Sequence, residues 1–105
     1  MKIAVAKYPV DAPQRFDDFA EKQRRWLREA ATAGATVAVL PEYLSLELGA
    51  TFEAPIRDDL HASLVALQRY RGAWLDLYSQ LARETGMRIV TGTFLLDTGN
   101  GRYRN

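Results

Sequence analysis

Thr36-Val37-Ala38-Val39-Leu40-Pro41-Glu42-Tyr43 is the stretch on which the fold turns. From Thr36 to Leu40 it is β-rich, with no polar alternation after Thr36, a pattern that suits a strand covered on both faces, as in α/β proteins. Pro41 stiffens the exit and removes a backbone donor. Glu42 then follows the strand directly, at the carboxyl end where open α/β sheets build their ligand crevices. Partial burial at such a place would disfavour the charged carboxylate and raise its pKa, which suits a general base or acid near neutrality. A plainer reading fits the same residue: an exposed loop glutamate that begins the next helix.

Upstream, the apolar period changes from strand-like to helical. Phe16, Phe19, Ala20, Gln23, Trp26, Leu27, Ala30 and Ala33 recur at three- and four-residue spacing, with Asp17, Glu21, Lys22, Arg24, Arg25 and Arg28 mostly opposite. That is one amphipathic helix with a solvated basic and acidic face. Asp18 with Lys22, and Glu21 with Arg25, stand acid-first at i,i+4 spacing. Gly34 occupies the position where a left-handed residue stops a helix. Before the helix, Tyr8-Pro9 and Asp11-Ala12-Pro13 form a loop, and the chain from Lys2 to about Tyr8 is a first strand.

Downstream the arrangement recurs. Trp74, Leu75, Tyr78, Leu81 and Ala82 make a second helical stripe; the trio Trp74, Leu75 and Tyr78 reads as core rather than subunit contact. Gly86 stops it, and a third strand follows over about residues 88–95. Two helix–glycine–strand passages in succession predict βαβ units, with three strands in one sheet and both helices packed on it. Between them, Leu60, Leu64, Val65 and Leu67 suggest a short helix interrupted near Arg71-Gly72. Gly99-Asn100-Gly101 reads as a tight turn and Tyr103-Arg104-Asn105 as the start of another strand.

The bulk properties narrow the function classes. The 105 residues, 48% hydrophobic and 26% charged, suit one small globular domain and argue against disorder. A net charge of +1 argues against a nucleic-acid footprint. No apolar run approaches the roughly 20 residues of a membrane span, so no membrane is expected. Met1 to Ala6 is too quickly polar for a secretory signal. With no cysteine, the chain has neither disulfides nor thiol chemistry, which is compatible with a cytoplasmic protein. One histidine, His61, excludes a two-histidine metal site and reads as a surface helical residue.

Taken together, Lys2-Ile3-Ala4-Val5-Ala6, Gly34-Ala35 with Val39-Leu40-Pro41-Glu42-Tyr43, Gly86-Met87 with Ile89-Val90 and Gly92-Thr93-Phe94, and Gly101-Arg102-Tyr103-Arg104-Asn105 resemble the opening of a nitrilase-superfamily (carbon–nitrogen hydrolase) domain. Pro-Glu alone is a weak motif; its place after the first strand–helix–strand unit, with the later motifs in order, is much more specific. The resemblance covers the whole chain as the N-terminal portion, residues 1–105, of an incomplete domain. It implies an α/β fold: the beginning of an αββα sandwich. It also implies an amidase or nitrilase chemistry, hydrolysis of a non-peptide carbon–nitrogen bond by a Glu-Lys-Cys triad without cofactor or metal. In such enzymes the cysteine attacks a nitrile or amide carbon, the glutamate is the general base, and the lysine stabilises developing charge. Carried over by position, Glu42 is that glutamate. Lys2, Lys7 and Lys22 do not match the family's lysine, and the cysteine is missing. The chain is therefore expected to be inactive alone. The complete enzyme would be a homo-oligomer acting on a small amide or nitrile.

Tyr43 and Phe94 follow the ends of two strands and suit either a substrate pocket beside Glu42 or ordinary core packing. Ser45 has no nucleophile-elbow pattern around it, which leaves it a poor substitute nucleophile. Glu47 lies near Glu42 in sequence, but the irregular stretch between them fixes no geometry. Asp58-Asp59 suits the N-terminal end of the following helix. Against the hydrolase stands a different class, a non-catalytic half-fold that binds or assembles. A retained Glu42 in its strand context favours the hydrolase, because a binding module has no chemical need for it. Nitrile, aliphatic amide, carbamoyl amine and ω-amide all remain open as substrates.

Overall fold

The structure, a computed structural model, describes residues 1–6, 11–41, 44–91, 94, 96–97 and 103–104, the last two pairs by backbone alone. Three short strands, β1 (Ile3–Val5), β2 (Val37–Val39) and β3 (Arg88–Val90), form one parallel sheet in the order β1-β2-β3. The register sets Ile3, Val37 and Arg88 side by side, and likewise Ala4, Ala38 and Ile89. Strand order thus follows chain order, and helices α1 (Phe16–Thr32) and α4 (Arg71–Thr85) pack together, consistent with both crossovers returning over one face. The protein is a small mixed α/β domain built on this parallel sheet.

The helix stops are local and legible. Gly34 has φ 93°; its N–H donates to Ala31 O, and the Ala35 N–H reaches back to Ala30 O, both at 3.0 Å. These two bonds make a Schellman motif, which needs the left-handed backbone that glycine adopts without strain. Lys2 Nζ donates to Ala33 O at 2.7 Å, adding a cation at the same helix end. Gly86, at φ 70°, ends α4 with one bond to Ala82 O. At the start of α1, the Arg15 N–H donates to the Asp18 carboxylate at 3.1 Å. Asp59 caps α3 (Leu60–Leu67) by accepting from the Ala62 N–H at 2.9 Å. Asp59 thus marks the helix start as expected, whereas Asp58 closes the preceding short helix at Ala54–Arg57, and His61 is an exposed residue of α3.

The core fills the space between the sheet and these helices. Phe19, Ala20, Gln23, Leu27 and Ala30 of α1 face Trp74, Leu77, Tyr78 and Leu81 of α4, with Ala38 beneath them. Trp74 lies 5.7 Å from Phe19 and 4.9 Å from Tyr78, ring centre to ring centre. Gln23, a buried polar residue between α1 and α4, is satisfied: its Oε1 accepts from the Tyr78 hydroxyl at 2.9 Å.

Several expectations are corrected. Of the expected strands 2–8, 36–40 and 88–95, residues 2, 6, 36, 40, 91 and 94 lie outside the observed strands and 7–8, 92–93 and 95 lie outside the described residues; all three strands share one sheet as expected. β2 is fully buried at Ala38 only, whereas Val37 and Val39 on the other face are partly buried. The interruption before α4 lies in a 3₁₀ turn at Gln68–Tyr70, and Gly72 sits inside the helix. Leu75 is exposed, so only Trp74 and Tyr78 of that trio belong to the core. The stretch after β2 holds a 3₁₀ segment (Leu44–Thr51) and a short helix α2 (Ala54–Arg57) that the periodicity did not reveal. β4 (Leu96–Asp97) and β5 (Tyr103–Arg104) pair antiparallel, which agrees with a hairpin; its turn at 99–101 and Asn105 lie outside the described residues.

Candidate functional site

Parallel strands deliver all their exits to one edge. Ala6 N–H donates to Val39 O at 3.0 Å, and Leu40 N–H donates to Val90 O at 2.9 Å, so the ladder continues one residue past β1 and β2. Glu42 follows Val39 by three positions in the chain; Glu42 and Tyr43 lie outside the described residues, as do Gly92 and Thr93. What is described is the frame on either side. Leu40 is buried before them, and Leu44 and Ser45 are buried after them. Burial of Ser45 also removes it from the surface where a nucleophile would meet substrate. Phe94 is partly buried against the core, its ring 5.5 Å from that of Trp74.

The same edge holds an ionic cluster that the sequence reading did not assemble. Lys22 Nζ lies 3.0 Å from Glu47 Oε2 and 2.8 Å from Asp11 Oδ2. The Asp11 backbone N–H donates to Glu47 Oε2 at 2.9 Å. The side chains of Lys22 and Glu47 keep only 13% and 3% of their exposure, so this is an inside pair with one outside carboxylate, Asp11. Lys22 is thus no member of a solvated face, and its partner is not Asp18. Asp18 instead reaches Arg15, and Glu21 reaches Arg24, both as loose, exposed i,i+3 contacts. Arg28 does behave as surface, forming a forked contact with Glu84 of α4 at 3.0–3.3 Å.

Two signals in the sequence pointed to this cluster. Lys22 stands three residues after Phe19 and four before Trp26, which places it at the border of the buried stripe. Glu47 interrupts the apolar run Leu44-Ser45-Leu46-Glu47-Leu48, and a carboxylate buried in such a run needs a partner. The missing information was tertiary: nothing local says that residues 25 apart in sequence meet.

Beside the cluster lies a cavity of about 370 Å³. Asp11 and Glu47 line one part of it, and Leu46, Phe52, Leu64 and Leu67 supply apolar wall. Among the described residues, no group of three or more His, Cys, Asp or Glu side chains could hold a metal ion, and no helix is long and apolar enough to cross a membrane.

The sheet face turned away from the helices is apolar and open. Ile3, Val5 and Val90 are 53%, 72% and 54% exposed; in register, Val37 stands between Ile3 and Arg88 and Val39 between Val5 and Val90, both partly buried. Comparison of the chain with family models, curated proteins and solved structures finds no match.

Proposed function

We propose that this chain is the N-terminal part of a carbon–nitrogen hydrolase of the nitrilase type, supplying the general base Glu42 to a reaction completed by a lysine and a cysteine from further chain. The observation that carries the reading is that β2, the central strand of a parallel sheet, leads at its carboxyl end into Leu40 and Pro41, with Glu42 the next residue in the sequence. There the carboxylate would take a proton from the attacking thiol, and the lysine would face the charge developing on the amide or nitrile. The open apolar face of the sheet supports the αββα part of the proposal, because one side of a sandwich needs such a face for its second sheet.

Activity of two forms tests the proposal. The 105-residue protein should not hydrolyse a simple amide or nitrile above background, since it has no thiol. In a form extended through the lysine and cysteine, Glu42→Gln should fold normally yet lose about 10²–10⁴-fold in turnover, the usual reach of a general base. Asp59→Asn, which alters a helix cap remote from the chemistry, is the control. Near-normal turnover by Glu42→Gln would leave the glutamate as a surface residue and sink the proposal.

A further inference from the structure

The cavity beside the Asp11–Lys22–Glu47 cluster has two unlike ends. At about 370 Å³ it falls in the lower part of the range of about 300–1,000 Å³ usual for small-molecule sites. One end is charged. Glu47 is buried there and Asp11 is exposed, and the ammonium of Lys22 serves both, at 3.0 and 2.8 Å. Among the described residues the cluster thus sets two carboxylates against one ammonium, an excess of one negative charge. Arg57 also lines the cavity, but it is exposed and has its own acid, Asp58, 4.0 Å from its Nε. The other end is apolar. Phe52 and Leu67 line it from the core, and Leu46 and Leu60 line it from the exposed side. We infer that this cavity is a binding site for a small organic cation, a primary amine carrying an apolar tail. The inference uses neither Glu42 nor the hydrolase reading and is tested apart from both.

The physical case is one of charge and shape. A buried carboxylate needs a partner, and Lys22 supplies one to Glu47. That pair is balanced without Asp11, which adds a second carboxylate to the same ammonium. An incoming ammonium beside Asp11 restores the balance, with three donors to offer and bonds about twice as strong as neutral ones. A neutral molecule with the same tail gains the apolar wall but not the charge, and an anion meets its own sign. The tail has a place as well. Leu46 and Leu60 are large apolar side chains kept in water beside a concave surface, and a tail lying against them removes that area from solvent. A second copy of the chain fits this surface less well. A two-fold contact through it would bring two clusters of the same negative sign into one interface.

Titration of the isotope-labelled 105-residue protein with phenethylamine, followed by amide chemical shifts, tests the site. Phenethyl alcohol, with the same tail and no charge, and hydrocinnamate, with the opposite charge, are the comparison probes. The amine should move the amides of Leu46, Gly49, Ala50 and Ser63, which line the cavity, and leave Ser79 and Arg83 on α4 in place. Its Kd should be on the order of 1 mM or tighter, in keeping with so small a ligand. The alcohol should bind about tenfold more weakly, the loss of one bond between charged groups, and the acid more weakly still. Asp11→Asn keeps the Lys22–Glu47 pair and removes the excess charge, so the amine should fall to the affinity of the alcohol. Leu46→Ser, at an exposed position where little stability is at stake, should weaken amine and alcohol alike. Equal affinity for amine and alcohol, tighter binding of the acid, or no shift of the cavity amides at tens of millimolar (about ten times the expected Kd) would overturn the proposal. Sedimentation velocity separates the other occupants. A monomer is expected; a dimer dispersed by Leu60→Ser would give the cavity to a second copy and overturn it. Loss of amine binding when the chain is extended would give the cavity to further chain, with the same consequence.

Discussion

Lys22→Met should be among the most destabilising single changes on the outer side of α1. Methionine keeps the aliphatic stem and its packing but removes the ammonium, which sits 3.0 Å from Glu47 and 2.8 Å from Asp11. At an effective dielectric constant near 20, one such contact is worth about 5 kcal/mol of direct attraction before desolvation is charged against it. What the mutant measures is the residue left behind. Glu47, with 3% of its side chain exposed, would keep its carboxylate inside with its strongest partner gone. Breaking a fully buried pair typically costs about 3–5 kcal/mol. Lys22 retains 13% exposure and Asp11 61%, so water can partly replace the lost cation, and about 2–4 kcal/mol is expected here. Against a total stability of about 5–15 kcal/mol for a domain of this size, that is a large fraction. Urea titration followed by circular dichroism at constant m-value reads it directly. Arg28→Ala sets the scale, because the Arg28–Glu84 pair is about half exposed on both sides and should contribute about 0–1 kcal/mol. Adding Glu47→Leu to Lys22→Met should recover much of the loss, since no carboxylate is then left inside. If Lys22→Met cost no more than Arg28→Ala, the burial-based reasoning would be refuted.

Two further substitutions test the frame. Gly34→Ala forces an alanine into φ 93°, and about 1–2 kcal/mol should be lost in the same titration, although the nearest atom to the new Cβ, Lys2 Cδ, is 3.9 Å away and no clash arises. Val5→Lys should change stability by no more than about 0.5 kcal/mol because the residue is already exposed, whereas Ala38→Lys, one strand over on the covered face, should unfold the protein. A large loss from Val5→Lys would mean that the outer sheet face is covered in solution.

The parts of this fold that were legible in the sequence are those set by neighbours in the chain. α1 follows from an apolar stripe at helical spacing, its end from Gly34, and β2 from the β-branched run after it; each matches the structure to within a few residues. The 3₁₀ segment at 44–51 was illegible because it has no helical period: Leu44 and Leu48 are buried by what packs over them rather than by a repeating face, while Leu46 stays exposed. Lys22 was misplaced for a related reason. On a helical wheel it falls at the border between stripe and solvent, and only Glu47 arriving from the other side decides which it joins. The candidate site divides the same way. Glu42 was singled out by its place after a strand in the sequence, a local property, whereas the Asp11–Lys22–Glu47 cluster is a meeting of three remote segments.

The open sheet face follows a further constraint, one of area. Strands lie about 4.8 Å apart and rise about 3.3 Å per residue, so a sheet of three strands by three residues offers a footprint of roughly 140 Å². A stable interface between separate proteins takes about 800 Å² from each partner. The face of Ile3, Val5, Val37, Val39 and Val90 is therefore far too small to hold a separate partner by itself. A covering sheet joined through the same chain does not meet that limit, since the linkage supplies its effective concentration and little area is then enough. The apolar character of the face, with only Arg88 polar in its two registered rows, fits such an intrachain cover.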